Sequence, residues 1–283
     1  MATAAAAEVP LRLPPSGYRL SCFRLTLALE LILTLALDEV AFYLATVFLT
    51  AYLHRVNATV DTHAGQASYT PAVLRIYDLF VLGFSSSYAW RCPLGLLREH
   101  YQRHITSKHL DVGVGTGWFL DHCQFPTPKP ELHLLDLNPN TLHHVSMRIA
   151  RYAPVVHRGD VMQPIELAPR FESIGLNYVL HCLPGNMASK SVAIANLARL
   201  LAPSGTLFGS TILARDVTHN FIARRLTAIY NRKGIFGNRT DDLDGLRRAL
   251  EGSFGDVDIC MRGCVALFAA RQPAAPMSNR SPA

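Results

Sequence analysis

The sequence predicts an α/β fold built around a mostly parallel β-sheet that helices cover on both faces. Strand-like apolar runs alternate with helical patterns from about residue 105 to residue 215, the order that produces parallel strands. Hydrophobic residues make up 49% of the 283-residue chain and charged residues only 17%, so a large core can form. The first strand leads into a glycine-rich loop, which in such folds is a common ligand-binding feature.

The glycine loop reads Leu-Asp-Val-Gly-Val-Gly-Thr-Gly over residues 110–117. Glycine has no Cβ, so Gly113, Gly115 and Gly117 permit positive φ values and a close approach of the backbone to a ligand. Trp118 begins a helical pattern, and the free N–H groups at the start of a helix can face whatever the loop binds.

The dinucleotide-binding pattern G-x-G-x-x-G/A does not fit this loop. Counted from Gly113, its third small position falls on Trp118; counted from Gly115, its second falls on Thr116. A nicotinamide-dependent reductase is therefore disfavoured. The pattern D-x-G-x-G-x-G fits without a gap from Asp111, and a carboxylate before the glycines suits a cationic amino-acid group better than a pyrophosphate.

Three later strand-like segments also end in polar residues. The residues at or just after these ends are Asp136 and Leu137, Asp160 and Val161, and Asn177. An acid about 20 residues beyond the glycines accepts hydrogen bonds from ribose hydroxyls in nucleoside-binding α/β folds, so Asp136 is the candidate ribose ligand. The alternative for Asp136 and Asp160 is a carboxylate within a turn, because turn-forming residues lie next to both.

These motifs, in this order, resemble the class I methyltransferases that use S-adenosylmethionine, over about residues 70–271. The resemblance implies a Rossmann-like sheet of seven mostly parallel strands, with an antiparallel last strand, helices on both faces and extra N-terminal helices. Residues 254–259 and 264–271 match the closing strand pair of the family. The segment from residue 76 to residue 93 is similar to the entry helices of stand-alone microbial methyltransferases that modify natural products.

One further motif of the family lies between the fourth and fifth strands. The segment Leu197–Gly209 matches the family's helix-to-strand turn, with Ser204 in the place of a glycine. From this match we expect the helix to stop at Pro203 and Gly205, where the next strand begins.

The resemblance implies S-adenosyl-L-methionine as the cofactor. The residues predicted to bind it are Asp111, Gly113, Gly115, Gly117, Asp136, Leu137, Asp160, Val161 and Asn177. Trp90 and Tyr178 are predicted to contact the methyl acceptor. His181 is the candidate catalytic base, because the ordinary pKa of histidine lies near neutrality; its alternative is a buried structural histidine.

We expect methyl transfer to a small-molecule acceptor, at an oxygen of a secondary metabolite according to what is common in the family. The alternatives are an RNA or protein methyltransferase and a non-catalytic nucleoside-binding protein of the same fold. Asn177 is followed by Tyr-Val-Leu, so the Asn/Asp-Pro-Pro-Tyr signature of amino-group methylation on bases is absent. The net charge is +6, but the basic residues are scattered, so no nucleic-acid partner is expected.

The pattern divides the chain into four regions. They are a disordered leader at 1–20, a hydrophobic helical extension at 21–65, the methyltransferase-like domain at 66–271 and a disordered tail at 272–283. A glycine-flanked segment at 234–237 is either a mobile lid over the acceptor or an ordinary loop. The pattern does not predict an oligomeric state.

The extension is apolar over residues 23–53, but Glu30, Asp38 and Glu39 interrupt it. Such acids disfavour a membrane span, and no small-residue cleavage site follows the first apolar run. The remaining interpretations are a buried helical cap, a membrane-associated helix or hairpin, and a segment that does not fold. We expect a cytoplasmic protein, with membrane association as the alternative.

The six cysteines are widely spread and contain no C-x-x-C pair. In an α/β pattern, this spread predicts free thiols in a reducing compartment. Cys260 and Cys264 have no nearby histidine partner in the sequence, so no metal site is predicted.

Overall fold

The computed structural model describes residues 78–274 except Pro169, and all of these lie within one compact unit of the chain. The predicted leader, the extension at 21–65 with its membrane-associated alternative at 23–53, and residues 275–283 of the predicted tail lie outside the described residues. The last strand of the structure runs to Pro273, so residues 272 and 273 belong to it and not to a disordered tail. Among the described residues, no helix is both long and apolar enough to span a membrane.

Seven strands form a single sheet in the order β3-β2-β1-β4-β5-β7-β6. The strands are β1 (Lys108–Val112), β2 (Glu131–Asp136), β3 (Val155–Arg158), β4 (Phe171–Asn177), β5 (Leu201–Ile212), β6 (Phe254–Arg262) and β7 (Val265–Pro273). The first five strands pair in parallel, whereas β7 runs antiparallel to both β5 and β6. The predicted fold class, including the antiparallel last strand, is confirmed.

Helices connect the strands on both faces of the sheet. The α-helices are α1 (Leu94–His104), α2 (Trp118–His122), α3 (Pro139–Arg148), α4 (Met187–Ala198), α5 (Phe221–Arg232) and α6 (Leu243–Glu251). Short 3₁₀ segments occupy Ala150–Tyr152 and Leu180–Cys182. Asparagine or aspartate side chains cap α3, α4, α5 and α6 by accepting a backbone N–H of the first turn, which fixes where each of these helices begins.

A π-helix, Asp78–Ala89, precedes Trp90 in the region where the sequence predicts entry helices. Its pattern continues past its end, because the backbone N–H of Trp90 donates to the carbonyl of Ser85 at 3.0 Å. The backbone N–H of Cys264, beside β7, donates to the carbonyl of Trp90 at 2.9 Å. This bond ties the end of the π-helix to the turn between the two closing strands.

Separate hydrophobic clusters cover the two faces of the sheet. One includes Leu110, Val112 and Phe171, and the other includes Tyr101, Leu134 and Phe208. The central strands are therefore buried on both faces, which explains their nearly continuous apolar sequences. The outer strand β3 is more open, and Val155 and Val156 keep 47% and 44% of their surface exposed.

The turn between α4 and β5 differs from the prediction that the helix stops at Pro203 and Gly205. The helix ends at Ala198 and β5 begins at Leu201, so both residues lie inside the strand. The register places Phe171 opposite Leu201 and Ser173 opposite Thr206, so β5 bulges outward between these pairs. A Cβ on Gly205 would lie 2.9 Å from the carbonyl oxygen of Phe171, so the bulge needs a glycine there.

The order of the strands reverses between β1 and β4. In open α/β sheets, ligands bind in the crevice outside the carboxyl ends of the strands at such a reversal. The loops that follow β1, β2, β3, β4 and β5 all leave from this edge. The topology therefore brings the glycine loop and the segment after Asn177 to one end of the molecule.

Candidate functional site

All three glycines of the loop adopt the left-handed conformation that glycine favours. Their φ values are +66° at Gly113, +53° at Gly115 and +72° at Gly117. The N–H of Gly113 donates to the carbonyl of Leu135 in β2 at 2.8 Å, and the N–H of Gly117 donates to Val114 within the loop at 2.8 Å. The loop is therefore a tight backbone turn held against the end of the neighbouring strand.

The surroundings of the three glycines differ. A Cβ on Gly113 would lie 2.3 Å from Val179, and one on Gly117 would lie 2.7 Å from Val145, so these two glycines allow close packing. A Cβ on Gly115 would meet no atom of the described residues within 4 Å. Gly115 is thus the glycine whose missing side chain leaves open space above the loop.

Asp111 lies at the end of β1 and is only 7% exposed. Its Oδ1 accepts the hydroxyl of Tyr101 at 3.0 Å, and that hydroxyl lies 3.1 Å from Nε2 of His109. The other ring nitrogen of His109 lies 2.8 Å from Oγ of Ser173 in β4. A Cβ on Gly175 would lie 2.8 Å from Oδ1 of Asp111, so a glycine in β4 makes room for this carboxylate.

This network fixes the strand that carries the glycine loop. Burial and then the nearby Asp111 raise the pKa of the Tyr101 hydroxyl well above its usual range, so the hydroxyl keeps its proton and donates it. Tyr101, His109 and Ser173 thus hold the end of β1 in place, and the sequence analysis did not name them. Their signal was weak, because a tyrosine on α1 gives no local indication of a carboxylate ten positions further on.

Asp136 and Leu137 lie at the end of β2, beside the glycine loop. The N–H of Asn138 donates to Oδ1 of Asp136 at 2.9 Å, so this oxygen takes part in a turn, as the alternative interpretation expects. Burial raises the pKa of Asp136, and the backbone N–H groups of Asn138 and Val114 oppose that rise. Leu137 is 62% exposed, which leaves an apolar side chain uncovered at this edge.

Asp160 and Val161 follow β3 at the same edge. The N–H of Met162 donates to Oδ1 of Asp160 at 2.9 Å, which forms a turn of the same kind as that at Asp136. Val161 is 6% exposed, and its carbonyl accepts Nδ2 of Asn196 from α4 at 2.9 Å. The segment after β3 is thus fixed by α4 as well as by its own turn.

Asn177 ends β4 and carries an unmatched polar group. Its Oδ1 accepts the hydroxyl of Ser210 at 3.1 Å, whereas its Nδ2 is buried with no hydrogen-bond partner among the described residues. An unpaired buried donor of this kind is costly, at about 1–3 kcal/mol. It is therefore a group for which a bound ligand would supply the missing acceptor.

Tyr178 follows Asn177 with φ at +56°, which is strained for a residue that has a side chain. Its N–H donates to the carbonyl of Ser210 at 2.8 Å, and its hydroxyl lies 3.3 Å from Oγ of Ser86 in the π-helix. Burial raises the pKa of this hydroxyl, so it stays protonated. Tertiary contacts thus hold a strained turn at the carboxyl end of β4.

His181 is 3% exposed, and its Nδ1 accepts the N–H of Ile212 at 3.3 Å. Burial, and to a lesser degree the charge of Lys190, lower the pKa of His181 to about 3, so the ring is neutral near neutral pH. Because Nδ1 accepts a hydrogen bond, the ring proton is on Nε2.

Aromatic rings surround this histidine. The ring of Phe236 lies 4.5 Å from the ring of His181 and 6.0 Å from that of Trp90, and the ring of Tyr178 lies 5.6 Å from His181. Tyr230 packs on Phe236 at 4.9 Å. We call these five residues the aromatic cluster. The cluster contains three predicted site residues, Trp90, Tyr178 and His181, together with Phe236, which is 8% exposed and belongs to the glycine-flanked segment at 234–237.

A fully buried ion pair holds the loop that carries Phe236. Nζ of Lys190 lies 2.5 Å from Oδ2 of Asp241 and 3.0 Å from the carbonyl of Gly237, and neither charged side chain is exposed. The N–H of Gly237 in turn donates to the carbonyl of His181 at 2.8 Å. The loop is therefore tied both to α4 and to the segment that contains His181.

Sequence reasoning missed this pair. Lys190 is the only cation in α4, whose other residues are apolar, small or amide-bearing, and that isolation was the available signal. Its partner lies 51 residues away, beyond the reach of any local pattern. Oδ1 of Asp241 has no partner among the described residues, so the pair is not completely satisfied.

Comparison with known proteins gives the family. A family model described as "Methyltransferase domain" matches residues 110–207, which contain the end of β1, the glycine loop and the strands β2, β3 and β4. Demethylluteothin O-methyltransferase from Streptomyces thioluteus is 37% identical over 207 residues, covering 73% of this chain and 90% of that protein. The chain belongs to the methyltransferase family.

Further similarities agree with this assignment. Methyltransferase ctvB from Aspergillus terreus is 39% identical over 222 residues, covering 75% of this chain and 96% of that protein. The fold also matches the structure of the citrinin polyketide synthase CMeT domain, with a TM-score of 0.56 and 13% identity, over 87% of this chain and 68% of that one. The predicted class I, S-adenosylmethionine-dependent methyltransferase is therefore confirmed.

The residues of this methyltransferase fit the cofactor of its family. Gly115 leaves open space above the loop, Leu137 offers an exposed apolar surface, and Asn177 holds a buried donor without an acceptor. The described residues contain no cluster of three or more groups suited to hold a metal ion. The five described cysteines, Cys92, Cys123, Cys182, Cys260 and Cys264, are all free thiols.

Proposed function

We propose that this methyltransferase transfers the methyl group of S-adenosylmethionine to an oxygen of a small, secondary-metabolite acceptor. The observation that carries the proposal is the aromatic cluster around His181. Two of its members, Tyr178 and His181, come shortly after Asn177, whose buried Nδ2 lacks an acceptor at the end of β4. Aromatic and apolar walls with a few polar groups are typical of sites for small molecules. The name of the Streptomyces relative, an O-methyltransferase, supports oxygen as the accepting atom.

The proposed cofactor contacts follow the loops at the carboxyl edge of the sheet. Asp111, Gly113, Gly115 and Gly117 would hold the methionine portion, Asp136 with Leu137 the ribose and adenine, Asp160 with Val161 the adenine edge, and Asn177 an oxygen of the methionine portion. When bound, the cofactor supplies a methyl group that a positively charged sulfur has already activated. The protein therefore has mainly to align the acceptor and to exclude water.

The aromatic cluster would perform that alignment. Backbone hydrogen bonds to Ser85 and Cys264 fix Trp90, and contacts with Ser86 and Ser210 fix Tyr178. The buried ion pair of Lys190 and Asp241 fixes the loop that carries Phe236. Restricting the side chains before binding lowers the ordering cost when an acceptor enters. In this proposal, Trp90 and Tyr178 contact the acceptor, as the sequence predicts.

The general-base role of His181 stays a prediction. A ring whose pKa is lowered to about 3 and whose proton is on Nε2 is a hydrogen-bond donor near neutral pH. Phenolic hydroxyls have a pKa of about 10, so deprotonation by His181 requires its pKa to rise when the acceptor binds. We therefore propose that His181 orients the acceptor oxygen by donating from Nε2, and that the hydroxyl proton of the acceptor passes to water as the oxygen–methyl bond forms and the sulfur–methyl bond breaks.

Matched acceptors test the proposed function. The protein is incubated with methyl-labelled S-adenosylmethionine and either 1-naphthol or 1-naphthylamine, which differ in the accepting atom. We expect label in the methyl ether and little in the amine product. Transfer to the amine alone, or label only in added RNA or protein, would overturn the proposal.

A further inference from the structure

A groove of about 410 Å³ lies beside α5, and its lining includes none of the predicted cofactor residues and neither Trp90, Tyr178 nor His181. Its lining includes Arg224, Thr227 and Asn231 of α5 together with His219 and Arg239 from the flanking loops. The α5 residues recur three or four positions apart, so they share one face of the helix, whereas Ile222, Ala223 and Leu226 are buried on another. The volume lies in the range of sites for small molecules.

The charged side chains that line this groove are positive. Arg224 and Arg239 both line it, and within the described part of the chain neither lies within ion-pair distance of a carboxylate. No acidic residue belongs to the described lining. Two guanidinium groups that line one cavity and have no carboxylate partner among the described residues favour an anion, and guanidinium matches the planar oxygens of a carboxylate.

The groove is also held in shape before any ligand enters. Nη2 of Arg239 donates to the carbonyl of Asn231 at 3.3 Å, and Nδ2 of Asn231 donates to Oδ1 of Asn238 at 2.8 Å. Asn238 is completely buried, and its Nδ2 donates to the carbonyl of Ile212 at 2.9 Å. The loop residue before Arg239 is thus fixed to the end of β5.

Thr227 adds an unused polar group to the wall. Its Oγ1 is buried and has no hydrogen-bond partner in the part of the chain that the structure describes. Threonine in a helix commonly occupies two side-chain rotamers, so a rotation about χ1 can turn this hydroxyl toward the groove. A bound anion would give the hydroxyl the acceptor that it lacks.

We propose that this groove binds an organic carboxylate through Arg224 and Arg239. The same strand end serves the groove and the aromatic cluster, because Ile212 contacts Asn238 through its carbonyl and His181 through its N–H. The carboxylate has two sources, the acid group of the methyl acceptor or a free small acid. The first source rests on the proposed function, and the second is independent of it.

Calorimetric titration with 1-hydroxy-2-naphthoate and with its neutral amide tests the binding. We expect the wild-type protein to bind the carboxylate at least about tenfold more tightly than the amide, since charge-assisted hydrogen bonds exceed neutral ones. The double variant Arg224→Gln/Arg239→Gln should lose that preference. The control Arg247→Gln/Arg248→Gln removes the same charge from α6, which lines no part of the groove, and should keep it.

Two results would overturn the inference. One is an affinity for the carboxylate that stays unchanged in Arg224→Gln/Arg239→Gln. The other is an equal loss of carboxylate affinity in Arg247→Gln/Arg248→Gln, which would indicate general electrostatic attraction. Affinity for S-adenosylhomocysteine, measured in all three proteins, shows that each variant is folded. It should be the same in each.

Turnover then separates the two sources. If the naphthoate hydroxyl is methylated and Arg224→Gln/Arg239→Gln raises KM with little change in kcat, the groove holds the acid group of the acceptor. If the naphthoate binds through both arginines but is not methylated while 1-naphthol is, the groove holds a free acid. Arginine-dependent binding without transfer to any hydroxyl would contradict the proposed function and leave this inference standing.

Discussion

The glycine loop and the aromatic cluster lie at the same edge of the sheet but are built in different ways. The loop is made of consecutive residues whose backbone turns through three left-handed glycines. The cluster takes its rings from three separate stretches of the sequence, which supply Trp90, Tyr178 with His181, and Tyr230 with Phe236. Local sequence therefore encodes the proposed cofactor side, whereas tertiary packing builds the proposed acceptor side.

The ion pair beneath the cluster should give the largest effect. We predict that Lys190→Met lowers the free energy of unfolding by about 3–5 kcal/mol, because it leaves Asp241 charged and buried without its partner. Urea denaturation measures the change. Arg103→Met, which removes an exposed pair with Glu99, should cost less than about 1 kcal/mol.

A second variant distinguishes the missing partner from poor packing. Lys190→Met/Asp241→Leu removes both charges and should recover part of the lost stability. If Lys190→Met alone is within about 1 kcal/mol of the wild-type protein, the ion pair does not hold the loop that carries Phe236.

The next effect concerns the glycine loop. We predict that Gly115→Arg lowers the affinity for S-adenosylhomocysteine by more than about 100-fold, or about 2.7 kcal/mol, because the side chain fills the open space above the loop. Gly234→Arg is the matched control. Gly234 has φ at +71° and also has no atom of the described residues within 4 Å of an added Cβ, so the backbone strain is comparable.

Calorimetry on the two arginine variants separates strain from the loss of a site. Gly234→Arg should bind S-adenosylhomocysteine like the wild-type protein. Equal losses of affinity in both variants would mean that left-handed strain, and not the position in the loop, accounts for the result.

The third effect depends on pH and belongs to the cluster. The pKa of His181 is lowered to about 3 in the folded protein, against about 6.5 in an unfolded chain. The unfolded state therefore binds the proton more tightly, and the stability contribution is complete above about pH 6.5 and is lost as pH falls toward 3. At pH 5, this loss is about 2 kcal/mol.

Urea denaturation at pH 7.5 and pH 5.0 measures this difference. His181→Gln should lose less stability than the wild-type protein between the two values, whereas His122→Gln, a change on the surface, should follow the wild type. An identical pH dependence for His181→Gln and the wild type would show that His181 is not held neutral by burial.

The smallest effect returns to the cofactor side. We predict that Asp136→Ala lowers the affinity for S-adenosylhomocysteine about tenfold, because the hydrogen bonds to the ribose are lost. Asp242→Ala is its control, because Asp242 also accepts a nearby backbone N–H, that of Gly245 at 2.6 Å, but caps α6. An unchanged affinity in Asp136→Ala would leave Asp136 with its turn role alone.

Most of the sheet could be predicted because its pattern is local. Buried parallel strands read as continuous apolar runs, and Asp111, Asp136 and Asn177 mark three strand ends. The end of α4 at Ala198 could not be predicted from the positions of Pro203 and Gly205. A β-bulge accommodates a proline and a glycine inside a strand, and bulges depend on the partner strand.

The candidate site divides in the same way. The three glycines could be recognised in the sequence because only glycine adopts their φ values without strain. No local pattern predicts which residues contact Phe236 or Lys190. The depressed pKa of His181 could not be predicted either, because it depends on burial that only the folded chain creates.

The most direct measurement is a calorimetric titration of the whole chain with S-adenosylhomocysteine and, separately, with NADH and NADPH. We expect binding of S-adenosylhomocysteine in the micromolar range and no binding of either nicotinamide. Binding of NADH or NADPH without binding of S-adenosylhomocysteine would contradict the proposal that the glycine loop holds a methyl donor.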